Sequence, residues 1–146
     1  MTVGPFRRVL VGWDASADAA EALCAAAAIV GGEAGHVVAL TVMPAAPGAE
    51  AADERDGERA AVRRRVEERF ERMRGSAAAG VRMSLHIVED RQVGQAVCAY
   101  AAEHGFDLLV LGRHGDGGAL RPRLGRVAEA AARGSAVPVL LLSATP

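Results

Sequence analysis

The chain has 146 residues, 51% hydrophobic and only 3% aromatic, enough for one domain with a buried core and no covalent staples. With 17 basic side chains against 18 acidic ones it lacks the charge excess of a nucleic-acid or membrane-surface binder. No apolar run reaches bilayer length and "MTVGPFRRVLVG" has no signal-peptide core, so a soluble, cytoplasmic, single domain over residues 1–146 is expected.

All 17 basic residues are arginine. Without lysine there is no Walker-type phosphate loop, no strand-end lysine of a receiver domain and no Schiff base. Much of the hydrophobic fraction is alanine, which favours closely packed helices.

In chain order, "RRVLVGW" (Arg7 to Trp13) reads as a buried strand ended by Asp14. A helix follows, with Ser16 as its N-cap and Gly31 and Gly32 as its stop. "HVVALTVM" (His36 to Met43) is a β-branched run of strand length, and "PAAPGAEAADERDG" is a loop by its Pro, Gly and charge content. From about Asp53 to Arg74 a charged helix carries Val62, Val66, Phe70 and Met73 on one stripe, with Arg64–Glu68 and Glu68–Arg72 at helical spacing. "VRMSLHIV" (Val81 to Val88) is a third strand. The next helix repeats Val93, Ala96, Val97, Tyr100 and Ala101 and ends at Gly105. "DLLVLG" is a fourth strand buried on both sides, "GRVAEAAARG" a last helix with Gly134 as its C-cap, and "VPVLLL" a fifth strand. Cys24 and Cys98 both fall in Ala-rich helical patterns and read as small buried thiols.

Strict alternation of strands and helices implies parallel βαβ units with right-handed crossovers. The expected fold is α/β, a doubly wound five-stranded parallel sheet with helices on both faces, three-layer and Rossmann-like. Ligands of such sheets bind beyond the carboxyl ends of the strands, where the winding reverses. That directs attention to Asp14, Met43, Glu89 and Asp90, and the segment after Gly112.

Gly112, Gly115, Gly117 and Gly118 follow a strand, and Gly125 opens the next helix. Glycines there let backbone N–H groups curl around an anion, and a helix N-terminus adds its partial positive charge. Arg113, Arg121, Arg123 and Arg126 flank the segment against one acid, Asp116, which suits a polyphosphate. The same residues also describe a loop with solvated arginines. Asp14 can accept from a base amino group or a ribose hydroxyl, or it can cap the helix that follows. Trp13 reads as core or pocket wall. His114 lies within the glycine segment and can donate to a phosphate. His36, His86 and His104 are scattered without metal-ligand spacing, so no metal site is expected. Glu89 and Asp90 read as solvated loop acids, with a cation as the other option. No serine, histidine and acid arrangement suggests a nucleophile, and no enzymatic role is expected.

The spacing of Gly112, Gly115 and Gly125 resembles that of the universal stress protein family, whose late signature is glycine, two residues, glycine, nine residues, glycine, then serine or threonine. "DLLVLGRHG", "VPVLLL" and the opening "VLVGWDAS" are similar to that family's fourth, fifth and first strands. The resemblance covers nearly the whole chain. It implies a stress-response regulator or sensor that binds ATP, or AMP, with magnesium as the accompanying ion, and a homodimer formed through the last strand. Carried over by position, it places Asp14 near the adenine, Val42 against the base, and Gly112, Arg113, His114, Gly115, Gly125 and Arg126 along the ribose and phosphates. Arg126 stands where the family has a hydroxyl. Pointing inward, its guanidinium binds phosphate; pointing outward or filling the pocket, it weakens ATP binding. Two further readings follow: a dimeric interaction module with a pocket altered by Arg126, and a weak ATPase or phosphotransferase using Asp14 or His114.

Overall fold

The structure, a computed structural model, describes residues 6–30, 35–45, 52–76, 80–113 and 125–143. Nine elements alternate along it: β1 (Arg8–Gly12), α1 (Ala17–Ile29), β2 (His36–Pro44), α2 (Ala52–Ser76), β3 (Arg82–Asp90), α3 (Val93–Glu103), β4 (Leu108–Gly112), α4 (Arg126–Gly134) and β5 (Val139–Leu142). The strands form one parallel sheet in the order β3-β2-β1-β4-β5. This is the doubly wound α/β fold that the alternation predicts.

β1 lies at the centre, and Val9, Leu10 and Val11 are wholly buried. Successive side chains of a strand face opposite ways, so β1 feeds two cores. Val9 and Val11 pack with Leu23 and Ala26 of α1 and with Val66 and Phe70 of α2. Leu10 packs on the other face, with Val38, Leu40 and Leu109 of the sheet, Val97 and Ala101 of α3, and Ala131 of α4. A helix layer therefore covers each face.

Glycine and alanine set how closely these layers approach. A Cβ on Gly94 of α3 would lie 2.6 Å from Ala130 Cβ of α4, so the two helices touch nearly backbone to backbone. A Cβ on Gly112 would meet Asp18 Cβ at 2.7 Å and the Asp18 carbonyl carbon at 3.0 Å. The end of β4 thus abuts the first turn of α1.

Several expectations are corrected. α2 begins at Ala52, so the end of the Pro44–Gly57 segment is helix rather than loop. β3 runs to Asp90, so Glu89 and Asp90 end a strand instead of lying in a solvated loop. Gly134 is the last residue of α4 and the C-cap is Ser135 in extended conformation, whose N–H bonds the Ala131 carbonyl. Cys24 is exposed, because Leu23 takes the inward position on α1 and its neighbour turns away, and Cys98, next to buried Val97 on α3, is only half-buried. On α2, Val66 and Phe70 are buried as the stripe predicts, but Val62 is 46% exposed. On α2, Arg74 pairs with Glu71 and Arg59 with Glu89 of β3, whereas the Arg64–Glu68 and Glu68–Arg72 pairs that spacing allows are not formed among the described residues. The glycine stop at Gly31 and Gly32 lies outside the described residues.

Candidate functional site

The chain winds outward from β1 through β2 and β3, then crosses to the other side of β1 for β4 and β5. Winding therefore reverses between β1 and β4. At the carboxyl ends of these two strands the helices diverge and leave a cleft of about 410 Å³. Such a volume lies in the ordinary range for small-molecule sites.

The floor is built by the residues that end β1. Trp13 is 3% exposed; its N–H donates to the Leu40 carbonyl (2.9 Å) and its carbonyl accepts from Thr41 Oγ1 (2.7 Å). Its indole Nε1 donates to the Val66 carbonyl of α2 (2.9 Å), and its ring stands edge-on to Phe70. Trp13 is thus core and cleft wall together, and it pins α2 over the site. The next residues turn sharply. Asp14 Oδ1 accepts from the Ser16 N–H (2.9 Å), Ala15 adopts φ +65°, and Ser16 Oγ accepts from the Ala19 N–H (3.2 Å) as the N-cap of α1. Asp14 lines the cleft and braces the turn into α1 through the Ser16 N–H, while Ser16 itself is the cap.

The opposite wall comes from β4 and α4. Arg113 N–H donates to the Leu142 carbonyl (2.6 Å), and the Arg113 carbonyl accepts from the Gly125 N–H (2.5 Å). Residues 113 and 125 are thereby held together beside the cleft. Gly125 is the N-cap of α4 and has no side chain to accept from the helix's first turn, so those N–H groups stand at the cleft without a side-chain cap. Arg126, the first residue of α4, lies on the cleft wall and is itself exposed. It borders the space without filling it.

Five of the sequence-predicted site residues, Asp14, Val42, Gly112, Gly125 and Arg126, line this one cleft. Arg113 is exposed, and its backbone rather than its side chain ties the cleft together. His114 and Gly115 lie outside the described residues, as do Asp116, Gly117, Gly118, Arg121 and Arg123. Val62 and Arg65 of α2 also line the cleft, which sequence reasoning missed. The signal was present in Val62, an apolar residue on the rim of the buried stripe, but helical phase alone does not separate core from cleft. Among the described residues no group of three or more His, Cys, Asp or Glu could hold a metal ion. Glu89 is engaged by Arg59, and Asp90 Oδ1 accepts from the Gln92 N–H. No helix of the described residues is long and apolar enough to cross a membrane.

Residues 5–143 match the model of the universal stress protein family. The chain belongs to the universal stress protein family. Solved structures share the fold. The hypothetical protein MJ0577 superposes with a TM-score of 0.76 at 20% identity, over 96% of this chain and 97% of that one. A universal stress protein in complex with cAMP gives 0.66 at 22% identity, over 96% and 98%. A universal stress protein family protein from Arabidopsis thaliana with AMP bound gives 0.66 at 17% identity, over 94% and 92%. No match is found among curated proteins. For this universal stress protein, family membership and fold are thus established by the matched residues and the sheet order.

Proposed function

We propose that this universal stress protein binds an adenine nucleotide, with ATP as its ligand, in the cleft between Asp14 and the start of α4, and acts as a stress-linked regulator or sensor. One observation carries the reading: Asp14, Val42, Gly112, Gly125 and Arg126, brought from four segments, line a single cleft at the switch point. Two structures of the same fold are described with cAMP and with AMP bound, which supports the ligand class. In this reading the Val42 segment meets the base and Asp14 the adenine and ribose side. The first-turn N–H groups of α4, the Gly112–Gly115 segment with His114, and the Arg126 guanidinium take the phosphates. Magnesium would arrive with the nucleotide. The reading is one of binding; turnover would need in addition a positioned base and a metal-binding pair. Homodimerisation through β5, an edge strand whose Val139–Leu142 side chains are only half-buried, belongs to the same proposal.

The test is to denature freshly purified protein, identify released small molecules by mass spectrometry, and titrate the emptied protein with ATP by calorimetry. Near-stoichiometric adenine nucleotide, or saturable ATP binding at one site per chain, is expected. Arg126→Ala should weaken ATP by roughly ten- to a hundredfold, the worth of a hydrogen bond to a charged group, and leave adenosine unchanged. Nothing released and nothing bound would overturn the reading and favour the interaction module.

A further inference from the structure

Arg8, His36 and Arg82 are register partners in one row across β1, β2 and β3. Partners in register face the same way, and Arg8 and His36 lie two residues before Leu10 and Val38, which belong to the core under α3 and α4. The row therefore lies on the α3 face, at the amino-terminal ends of the strands, away from the nucleotide cleft. Strands are spaced about 4.8 Å apart, so the Cα positions of the three basic residues span about 10 Å. Like charges opposed across strands are destabilising. Yet none of the ion pairs among the described residues involves Arg8 or Arg82. The carboxylate entering this end of the sheet, Asp107, is taken by the backbone N–H groups of Arg7 and Arg8, both at 2.9 Å.

Two members of the row, Arg8 and His36, are held in place by their surroundings. The Arg8 guanidinium stacks 4.8 Å over the Phe106 ring and donates to the His104 carbonyl (3.1 Å), which uses one of its five N–H groups. His36 Nε2 lies 2.9 Å from Ser84 Oγ, one pleat along β3 from Arg82. Two forked guanidiniums, an imidazole and a hydroxyl make a donor-rich surface that calls for an acceptor-rich, multiply charged guest.

We infer that Arg8, His36 and Arg82, with the Ser84 hydroxyl, form a second anion site that takes a tetrahedral phosphate-type oxyanion, as inorganic phosphate or a phosphomonoester. The site is independent of nucleotide binding. Burial, then the Arg82, Arg8 and His86 charges, hold the His36 pKa below its ordinary value. The titratable groups around it are Arg8 from β1, Arg82 and His86 from β3, and, through His86, Tyr100 of α3 and its C-cap His104, with Asp107 hydrogen-bonded to the Arg7 and Arg8 backbone. A bound dianion offsets the repulsion and draws a proton onto His36.

The test is a two-dimensional amide NMR titration with inorganic phosphate, against sodium chloride at matched ionic strength. Saturating shifts at Arg8, His36, Arg82 and Ser84 are expected with phosphate only, together with a rise in the His36 pKa. Arg82→Gln, at an exposed position, should weaken this binding about tenfold by removing one charge-assisted contact. Arg126→Ala should leave it unchanged, which separates this site from the cleft. Phenyl phosphate binding more tightly than inorganic phosphate identifies the monoester as the guest, and equal binding identifies the free ion. Shifts confined to the cleft, no saturation, or unchanged binding in Arg82→Gln would overturn the inference.

Discussion

Ala15 is 1% exposed and sits at φ +65°, the left-handed conformation, between the Asp14 acceptor and the Ser16 cap. A side chain there costs roughly 1–2 kcal/mol, which glycine avoids. Removing the buried methyl loses about 0.8 kcal/mol, so Ala15→Gly should leave the urea midpoint near that of the wild type. The same exchange at Ala22, buried in α1, should lower stability by about 2 kcal/mol through helix propensity and lost burial. Equal losses at the two positions would show that the turn stores no strain. His36 gives a second expectation, in chloride buffer. Its pKa lies below the 6.5 of the unfolded chain, so the folded state favours the neutral ring. Its contribution is complete above pH 6.5; on acidification the unfolded chain takes the proton first, and stability falls until the folded value is passed. Arg82→Gln should move the folded value upward and narrow that window, as read by imidazole NMR. At the cysteines, exposed Cys24 should react with a disulfide reagent before Cys98, whose pKa burial raises; the reverse order would contradict the geometry.

Among the elements, α3 and α4 depend on a missing side chain. Gly94→Ala puts a Cβ 2.6 Å from Ala130 Cβ, and both atoms sit on backbones that cannot rotate away. The helices must separate, at a cost of about 1–3 kcal/mol of overpacking, measurable as a lower denaturation midpoint. Gly57 is the counter-example: it lies within α2, and a Cβ added there would meet nothing within 4 Å, so Gly57→Ala should stabilise by up to about 1 kcal/mol. Gly112 has two consequences in one residue. Sequence spacing marks it as a phosphate glycine, but its closest neighbours are Asp18 and Ala19 of α1. Its conformity to the family spacing therefore has a packing reason at this position, and Gly112→Ala should weaken both stability and nucleotide binding by displacing β4 from α1.

For the whole molecule, the proposed nucleotide would be linked to folding through the switch point. A nucleotide that binds only the folded chain stabilises it by about 2.7 kcal/mol at a hundred times its dissociation constant, so ATP should raise the melting temperature in a concentration-dependent way. The element order was legible because buried parallel strands such as "LLVLG" are unbroken apolar runs, and the helices between them carry their own caps and stops. That Asp14, Gly112 and Gly125 line one cleft was legible for the same reason: they sit where strands end or helices begin. Cys24 and Val62 were not, since helical phase fixes a stripe but not which part of it meets the core. By itself the sequence determined the α/β class, the parallel strands and the family spacing, because local periodicity, caps and glycines act between near neighbours. The tertiary structure alone decided that α2 brings Val62 and Arg65 to the cleft and that Arg8, His36 and Arg82 share one row. Those meetings depend on sheet order and register between residues far apart in the chain, which no local pattern encodes.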